Sequence, residues 1–355
     1  MLEELAGRIR DEPLFHLMSA GRELFSSNIL AWFFNSHPAW ADEVFVPLTL
    51  HNANINTPRT ALREYRRIDL TLRWPGYEEV ELENKTISYP DEVQLANYGN
   101  DRINTNRYLL SLMRPGWQNN VAVFGGRQWK FMSHGELSQN ILVHAPPHGG
   151  GFEHDLITHY ACLMKHLQEL IDQAANNIGD ETTVNLQQAE RDALGHNRLI
   201  VMVSKARYFS TRQMIDNEFH EIGVDQEKYA LEVNFTNNTP LINCWYHFDI
   251  DPNNPGTQVG WQLQGNQFRL TMQVPHLAGP NHRQERENYA GNFPNHFNFG
   301  PVDGAVGVQQ MIHPHQGFCH YNPCFVYRYQ QHPHITVGQL KAAAVAVTNH
   351  LENLA

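Results

Sequence analysis

Two short alternating segments joined by a Pro-Gly pair constrain this chain more than any other feature. In REYRRIDLTLRW, residues 63–74, the side chains of Ile68, Leu70, Leu72 and Trp74 fall on one side, and those of Asp69, Thr71 and Arg73 on the other. In EEVELENKT, residues 78–86, Val80 and Leu82 oppose Glu81, Glu83 and Lys85. A period of two belongs to a strand with one buried face. Pro75-Gly76 between the runs marks a turn. Two antiparallel strands are therefore expected, with Asp69 and Glu83 on paired strands and Lys85 on the same face as Glu83.

The remaining elements follow from hydrophobic spacing. Residues 14–34 repeat apolar positions at helical intervals, and His37-Pro38 ends the run, because proline disfavours helix at the residue before it. A helix is expected from about 92 to 102, and strands at 108–113, 121–124 and 129–132. GELSQNIL reads as a short helix and 154–173 as a strong amphipathic one. The polar stretch AANNIGDETTVN reads as a linker or an exposed loop, and it divides the chain into a first domain, 1–178, and a second region, 179–355, either separate or packed on the first as one unit. That region alternates like sheet at 199–203, 241–248, 261–263, 268–274 and 325–329. Between these lie loops such as DPNNPGTQ and GPNHRQERENYAGNFPNHFNFGP, and an alanine-rich helix over 337–354 ends it. The fold class expected is α/β (α+β), with a β-rich second half whose role is substrate selection, a partner surface or a dimer contact.

Composition narrows the function classes. With 41% hydrophobic and 18% charged residues the chain is globular rather than disordered. It has no apolar run near the roughly 20 residues that span a bilayer, and no apolar core in its opening MLEELAGRIRDEP. A soluble, cytoplasmic protein without a membrane partner is expected. Four cysteines fit reduced thiols, with Cys162 a small core residue. A formal charge of −11 argues against a protein that coats nucleic acid without specificity. The charge is uneven, however: residues 59–130 hold 11 Lys/Arg and 9 Asp/Glu, a local +2 that leaves −13 elsewhere. Arg59, Arg63, Arg66 and Arg67 lie in this stretch, beside the acidic strands.

Carboxylates on neighbouring strands next to an ammonium group suit phosphodiester hydrolysis. That reaction needs anionic ligands for a divalent cation, a group that orients water, and a positive charge for the transition state. Asp69 and Glu83 supply the carboxylates and Lys85 the ammonium, while the Asn84 carbonyl is a further oxygen donor of the kind hard cations prefer. Glu23 and Ser27, with Asn28 beside them, lie one helical turn apart, as do Gln94 and Tyr98. Each pair is placed to reach metal-bound water or phosphate.

In this order, ELFSSNILAWFF, RRIDLTL, VELENKT and QLANY resemble the PD-(D/E)XK nuclease superfamily, in particular the branch with a helix-borne Glu, an E-N-K motif and a Gln-x-x-x-Tyr helix. The similarity continues through RYLLSLMRPG and QWKFMSHGEL and covers roughly the first half. It implies a restriction-endonuclease-like mixed central sheet flanked by helices, with Mg²⁺ or Mn²⁺ held by Asp69 and Glu83. It also implies that Lys85 positions the attacking water, that Glu23 assists through metal-bound water, and that Gln94 and Tyr98 line the site. Ile68 stands where the motif has proline, and Glu81 adds a third carboxylate, read as a neighbour rather than a ligand.

The expectation is a metal-dependent endonuclease acting on DNA in restriction, anti-phage defence or repair. Ser27, Asn28, Arg66, Arg67 and Tyr98 would contact nucleic acid, and a homodimer would cut both strands. The rivals are a nuclease for RNA or branched DNA, a binding or assembly module without turnover, and a sensor whose β-rich half switches the nuclease half. Plainer readings exist for each group. Asp69, Glu83 and Lys85 would be a solvated strand face with a cross-strand ion pair, Glu23 and Ser27 helix surface or a local hydrogen bond, and Gln94 and Tyr98 a half-buried helix face. In HPHQGFCHYNPC, His313, His315, Cys319, His320 and Cys324 offer zinc-type ligands, but their spacing fits no zinc pattern and polar loop histidines are the preferred reading.

Overall fold

The computed structural model describes residues 1–18, 22–49, 58–98, 105–147, 151–236, 239–247, 250–307, 317–321 and 323–354. It divides into two compact units, residues 1–177 with 189–206, and residues 178–188 with 207–355. Residues 189–206, which the sequence alone placed with the second half, belong to the first unit.

In the first unit, helices α1 (Leu2–Arg10), α2 (Pro13–Leu17), α3 (Arg22–Ser36) and α4 (Pro38–Phe45) precede strands β1 (Thr60–Tyr65), β2 (Ile68–Arg73) and β3 (Glu79–Lys85). Helix α5 (Glu92–Asn97) leads to β4 (Thr105–Ser111), β5 (Val121–Phe124) and β6 (Arg127–Ser133), followed by α6 (His134–Val143) and α7 (Phe152–Ile171). Helix α8 (Gln188–Leu194) and the start of α9 (Asn197–Glu221) complete it. The six strands form one mixed sheet in the order β1-β2-β3-β4-β6-β5. Tight connections give the antiparallel pairs β1-β2, β2-β3 and β5-β6. The parallel pairs β3-β4 and β4-β6 need crossovers, and the segment carrying α5 supplies the first.

Two local expectations change. Residues 63–74 are not one strand but a hairpin, with Tyr65 paired to Ile68 across Arg66-Arg67. Both arginines have positive φ, 56° and 73°, as a two-residue hairpin loop of this hand demands. Neither is a glycine, asparagine or aspartate, so no turn signal was visible. The helix expected over 92–102 ends at Asn97, with Tyr98 already extended; residues 99–102 lie outside the described residues.

Buried charge ties the first unit together. Asp42 accepts hydrogen bonds from Trp74 Nε1 (3.1 Å) and from Arg59 (2.6 Å), so Arg59 is committed to the interior and is not part of a basic surface. Glu81 pairs with Arg107 at 2.8 Å, both side chains at or below 5% exposure. The third carboxylate of the β3 face is thus neutralised from β4. Ser133 and Glu136 form a capping box at the start of α6, which stops that helix from extending back into the sheet.

In the second unit, β7 (Tyr229–Thr236), β8 (Thr239–Tyr246), β9 (Gln258–Gln264) and β10 (Gln267–Gln273) are followed by α10 (Arg283–Gly291) and α11 (Gly300–Val306). Then come β11 (Cys319–Tyr321), β12 (Phe325–Gln331) and α12 (Val337–Glu352). The strands form an antiparallel sheet in the order β11-β12-β10-β9-β8-β7. One face, including Ile242, Trp261, Phe268 and Val326, packs with Phe219 of α9 and with Leu340, Ala344 and Val347 of α12. Residues 199–203, expected as a strand, are helical. Leu199, Met202, Val203 and Ala206 are buried at helical spacing, and a short apolar run carries too few periods to separate the two forms. The loop expected over 279–301 contains α10 and the start of α11. Cys162 is half-buried rather than core, and all four thiols are free. Among the described residues no helix is long and apolar enough to cross a membrane.

Replacing Arg107 with Met should leave Glu81 buried without a counter-charge and cost about 3 kcal/mol in urea denaturation. The double variant Glu81→Leu with Arg107→Met should recover most of it. A single-variant loss well below 1 kcal/mol would mean the pair does not brace the sheet.

Candidate active site

The pairing of Leu70 with Leu82 and of Thr71 with Glu81, carried one step further, sets Asp69 opposite Glu83. Side chains directly opposite share a face, so Asp69, Glu83 and Lys85 meet as the sequence pattern required. Asp69 Oδ2 accepts from the Asn84 backbone N–H at 2.7 Å. Glu83 Oε1 takes three donors: the Lys85 ammonium at 2.9 Å, the Tyr98 hydroxyl at 2.8 Å and the Gln94 amide at 3.1 Å. Glu83 Oε2 is buried and, among the described residues, has no hydrogen-bond partner.

Three pieces of backbone hold these groups. Asp91 caps α5 by accepting from the Gln94 N–H at 3.1 Å, which sets the pitch at which Gln94 and Tyr98 reach Glu83. Gln94 also donates to the Tyr98 hydroxyl. Leu95 and Tyr98 pack with Leu109, Trp129 and Phe131, and by register Glu83, Leu109 and Phe131 lie on one face, so α5 is pinned over the carboxylates. On the opposite face the Asn84 side chain donates to the Glu23 carbonyl (3.0 Å) and to Ser27 Oγ (3.2 Å), fastening the start of α3 to β3. The Glu23 carboxylate, in turn, accepts from the Ser88 N–H at 3.2 Å.

The structure therefore brings together Asp69, Glu83, Lys85, Gln94 and Tyr98, with Glu23 close enough to act on the charges of Asp69 and Lys85. Two expected nucleic-acid contacts are corrected. Ser27 is 2% exposed and bonds back to the Glu23 carbonyl at 2.9 Å, the usual recourse of a serine inside a helix. Tyr98 is 5% exposed and serves Glu83. Asn28 is exposed and lines a shallow groove with Trp32, Asn35 and Arg63. Arg66 and Arg67 are exposed at the hairpin tip, which the β2-β3 register sets at the Lys85 end of β3. Glu81 is a neighbour, occupied by Arg107. Arg107 was the residue overlooked; a lone arginine inside an apolar strand is itself a signal that a buried carboxylate faces it. His313 and His315 lie outside the described residues, and His320 bonds Glu287 at 2.7 Å.

Electrostatically the site holds more carboxylates than it neutralises. Burial pushes Glu83 up to about 7, and the Asp69 charge adds to this against the pull of Lys85 and Tyr98. Burial likewise raises Asp69, although the Asn84 N–H opposes it. Burial pulls Lys85 down, but Glu83, Glu23 and Asp69 outweigh it, and its net shift is upward. Two carboxylates raised beside a firmly protonated lysine describe a place short of positive charge. Among the described residues no set of three or more His, Cys, Asp or Glu side chains converges on one point. A magnesium site does not need one, because one or two carboxylates with water and phosphate oxygens suffice. The unpartnered Glu83 Oε2 and the all-oxygen donor set fit such an ion.

Glu83 holds its proton more tightly folded than unfolded. The stability this contributes is present below its ordinary value of 4.5 and is lost as pH rises through about 7. The thermal midpoint of the wild type should therefore fall relative to Glu83→Gln across that window and run parallel above it. A difference that stays constant with pH would show that Glu83 titrates normally.

Comparison with protein-family models, with curated proteins and with solved structures finds no match for this chain.

Proposed function

We propose that this chain is a metal-dependent nuclease that hydrolyses phosphodiester bonds, with DNA as its substrate. The observation that carries this reading is the Glu83 carboxylate. Three donors orient one of its oxygens, while the other is buried and has no hydrogen-bond partner among the described residues, and Asp69 lies opposite on the paired strand. Glu83 and Asp69, with the Asn84 carbonyl, would hold Mg²⁺ or Mn²⁺. Such an ion supplies a water of lowered pKa and offsets charge on the phosphate.

The chain's own residues divide the remaining work. Lys85 stays protonated, because its net shift is upward. It therefore orients water and stabilises developing negative charge, rather than accepting a proton. The Glu23 carboxylate, held by the Ser88 N–H, is available to accept a hydrogen bond from water near the lysine. Gln94 and Tyr98 fix the rotamer of Glu83. Arg66 and Arg67 on the hairpin tip meet the phosphates on either side of the cut. A restriction-endonuclease-like frame, a homodimer placing one such site on each strand, and a role in restriction, defence or repair in the cytoplasm complete the proposal.

A second reading has its own support. Asp69 Oδ2 is already taken by Asn84, and Lys85 closes on Glu83, as in a site kept for binding without turnover. Cleavage of plasmid and linear duplex DNA, with single-stranded and RNA counterparts, separates the two. With Mg²⁺ or Mn²⁺ the wild type should cut and with EDTA it should not. Lys85→Ala and Asp69→Ala should each lose about a hundredfold or more while keeping their circular dichroism. Undiminished cutting in both variants would rule out this site. No cutting of any substrate would favour the binding module.

A further inference from the structure

The outer face of the second sheet is built unlike its inner one. Strand β12 turns Val326 into the core, and Phe325, Tyr327 and Tyr329 to the other side, each only partly covered. Thr271 pairs with Tyr327 and with Gly260, and Gly260 with Trp245, so the indole shares this face. Strands β9 and β10 separate β8 from β12, roughly 14 Å at ordinary strand spacing, yet the Trp245 and Phe325 ring centroids are 5.3 Å apart. The two side chains must lean towards each other over β9 and β10, where the rings meet edge to face with their planes 73° apart. Gly260 permits this, since a Cβ there would sit 2.0 Å from the Cys244 carbonyl and 3.1 Å from Trp245 Cε3. Thr271, beneath the layer, is 2% exposed.

A cation is set into this layer. The Arg269 guanidinium lies 4.7 Å from the Tyr327 ring centroid, and its hydrogen bonds go to Gln267 Oε1 at 3.0 and 2.6 Å. Among the described residues no carboxylate pairs with it. The neighbouring outward positions on β9 and β10, Gln258, Gln262 and Gln273, are uncharged amides. Partly exposed rings, amide donors and acceptors, and an arginine with no carboxylate partner among the described residues form one surface.

We infer that this face binds single-stranded nucleic acid, with bases stacked on Trp245, Phe325, Tyr327 and Tyr329 and a phosphate at Arg269. Stacking on aromatic platforms needs unpaired bases and tolerates any sequence, and arginine beside a ring supports both base and phosphate. Duplex DNA hides its base faces and cannot use the platform. Neutral sugars also stack on such rings, but they bring no charge to answer Arg269. The inference is independent of the metal site, because binding needs no hydrolysis.

The test is fluorescence anisotropy of a labelled single-stranded oligonucleotide of roughly 15 nucleotides, with the full chain in EDTA, in wild-type and Lys85→Ala backgrounds. The single strand should bind more tightly than its duplex, and Tyr327→Ala should weaken it about fivefold or more while Tyr327→Phe retains it. Arg269→Gln should reduce the salt dependence by about one phosphate contact. Preference for the duplex would overturn the inference, as would displacement by neutral oligosaccharides, absence of binding, or affinity unchanged in both Tyr327→Ala and Arg269→Gln. A wild type that binds the single strand but cleaves nothing once Mg²⁺ or Mn²⁺ is supplied would count against the metal site alone.

Discussion

The surplus of buried negative charge on the β2-β3 hairpin is the constraint that the surrounding structure answers. Asp69 acts on Glu83, Glu23 acts on Asp69, and all three carboxylates act on a single ammonium, Lys85, with Glu83 and Lys85 themselves buried. Burial raises the pKa of Asp69 and of Glu83, and a neighbouring carboxylate adds to each rise. An ordinary structural ion pair has no need of a surplus. The alternation of the two strands makes the arrangement unavoidable once the hairpin forms, since any register that buries Leu70, Leu72, Val80 and Leu82 sends the carboxylates to the opposite face.

Much of the rest of the first unit positions that hairpin. The Asn84 side chain fastens α3 on one face while α5, capped by Asp91, supports Glu83 on the other. Both donors from α5 converge on the same carboxylate oxygen, which fixes the direction in which the free oxygen points. Glu81, which would have added a fourth carboxylate, is cancelled by Arg107 from the neighbouring parallel strand. The sheet therefore separates a carboxylate that braces the fold from those left to the site. That distinction is not visible in the spacing Glu81, Glu83, Lys85, where all three look equivalent.

The centre of the site was legible because its signal is local. A period of two places Glu83 and Lys85 together without any knowledge of the fold, and the i, i+4 spacing of Gln94 and Tyr98 marked one helix face. What escaped depends on long-range contacts or on costly local geometry. The Arg66-Arg67 turn uses residues that rarely take positive φ, so the strand looked continuous. Ser27 looked available to a ligand until the Asn84 amide, 57 positions away, claimed it. The mixed α/β character was evident from the alternation of patterns, whereas residues 199–203 show how an apolar run of strand length can belong to a helix of 25 residues. The aromatic face of the second unit was invisible because its rings come from β8 and β12, 80 positions apart in Trp245 and Phe325, and join only through the register.

Asp69 and Glu83 would share a divalent cation, and titration of Mn²⁺ followed by electron paramagnetic resonance addresses that directly. The wild type should bind one ion per chain in a saturable way, and Asp69→Asn and Glu83→Gln should each abolish that binding while leaving the fold intact. A wild type that leaves all the manganese free, or variants that bind it as well as the wild type does, would contradict a cation shared by Asp69 and Glu83.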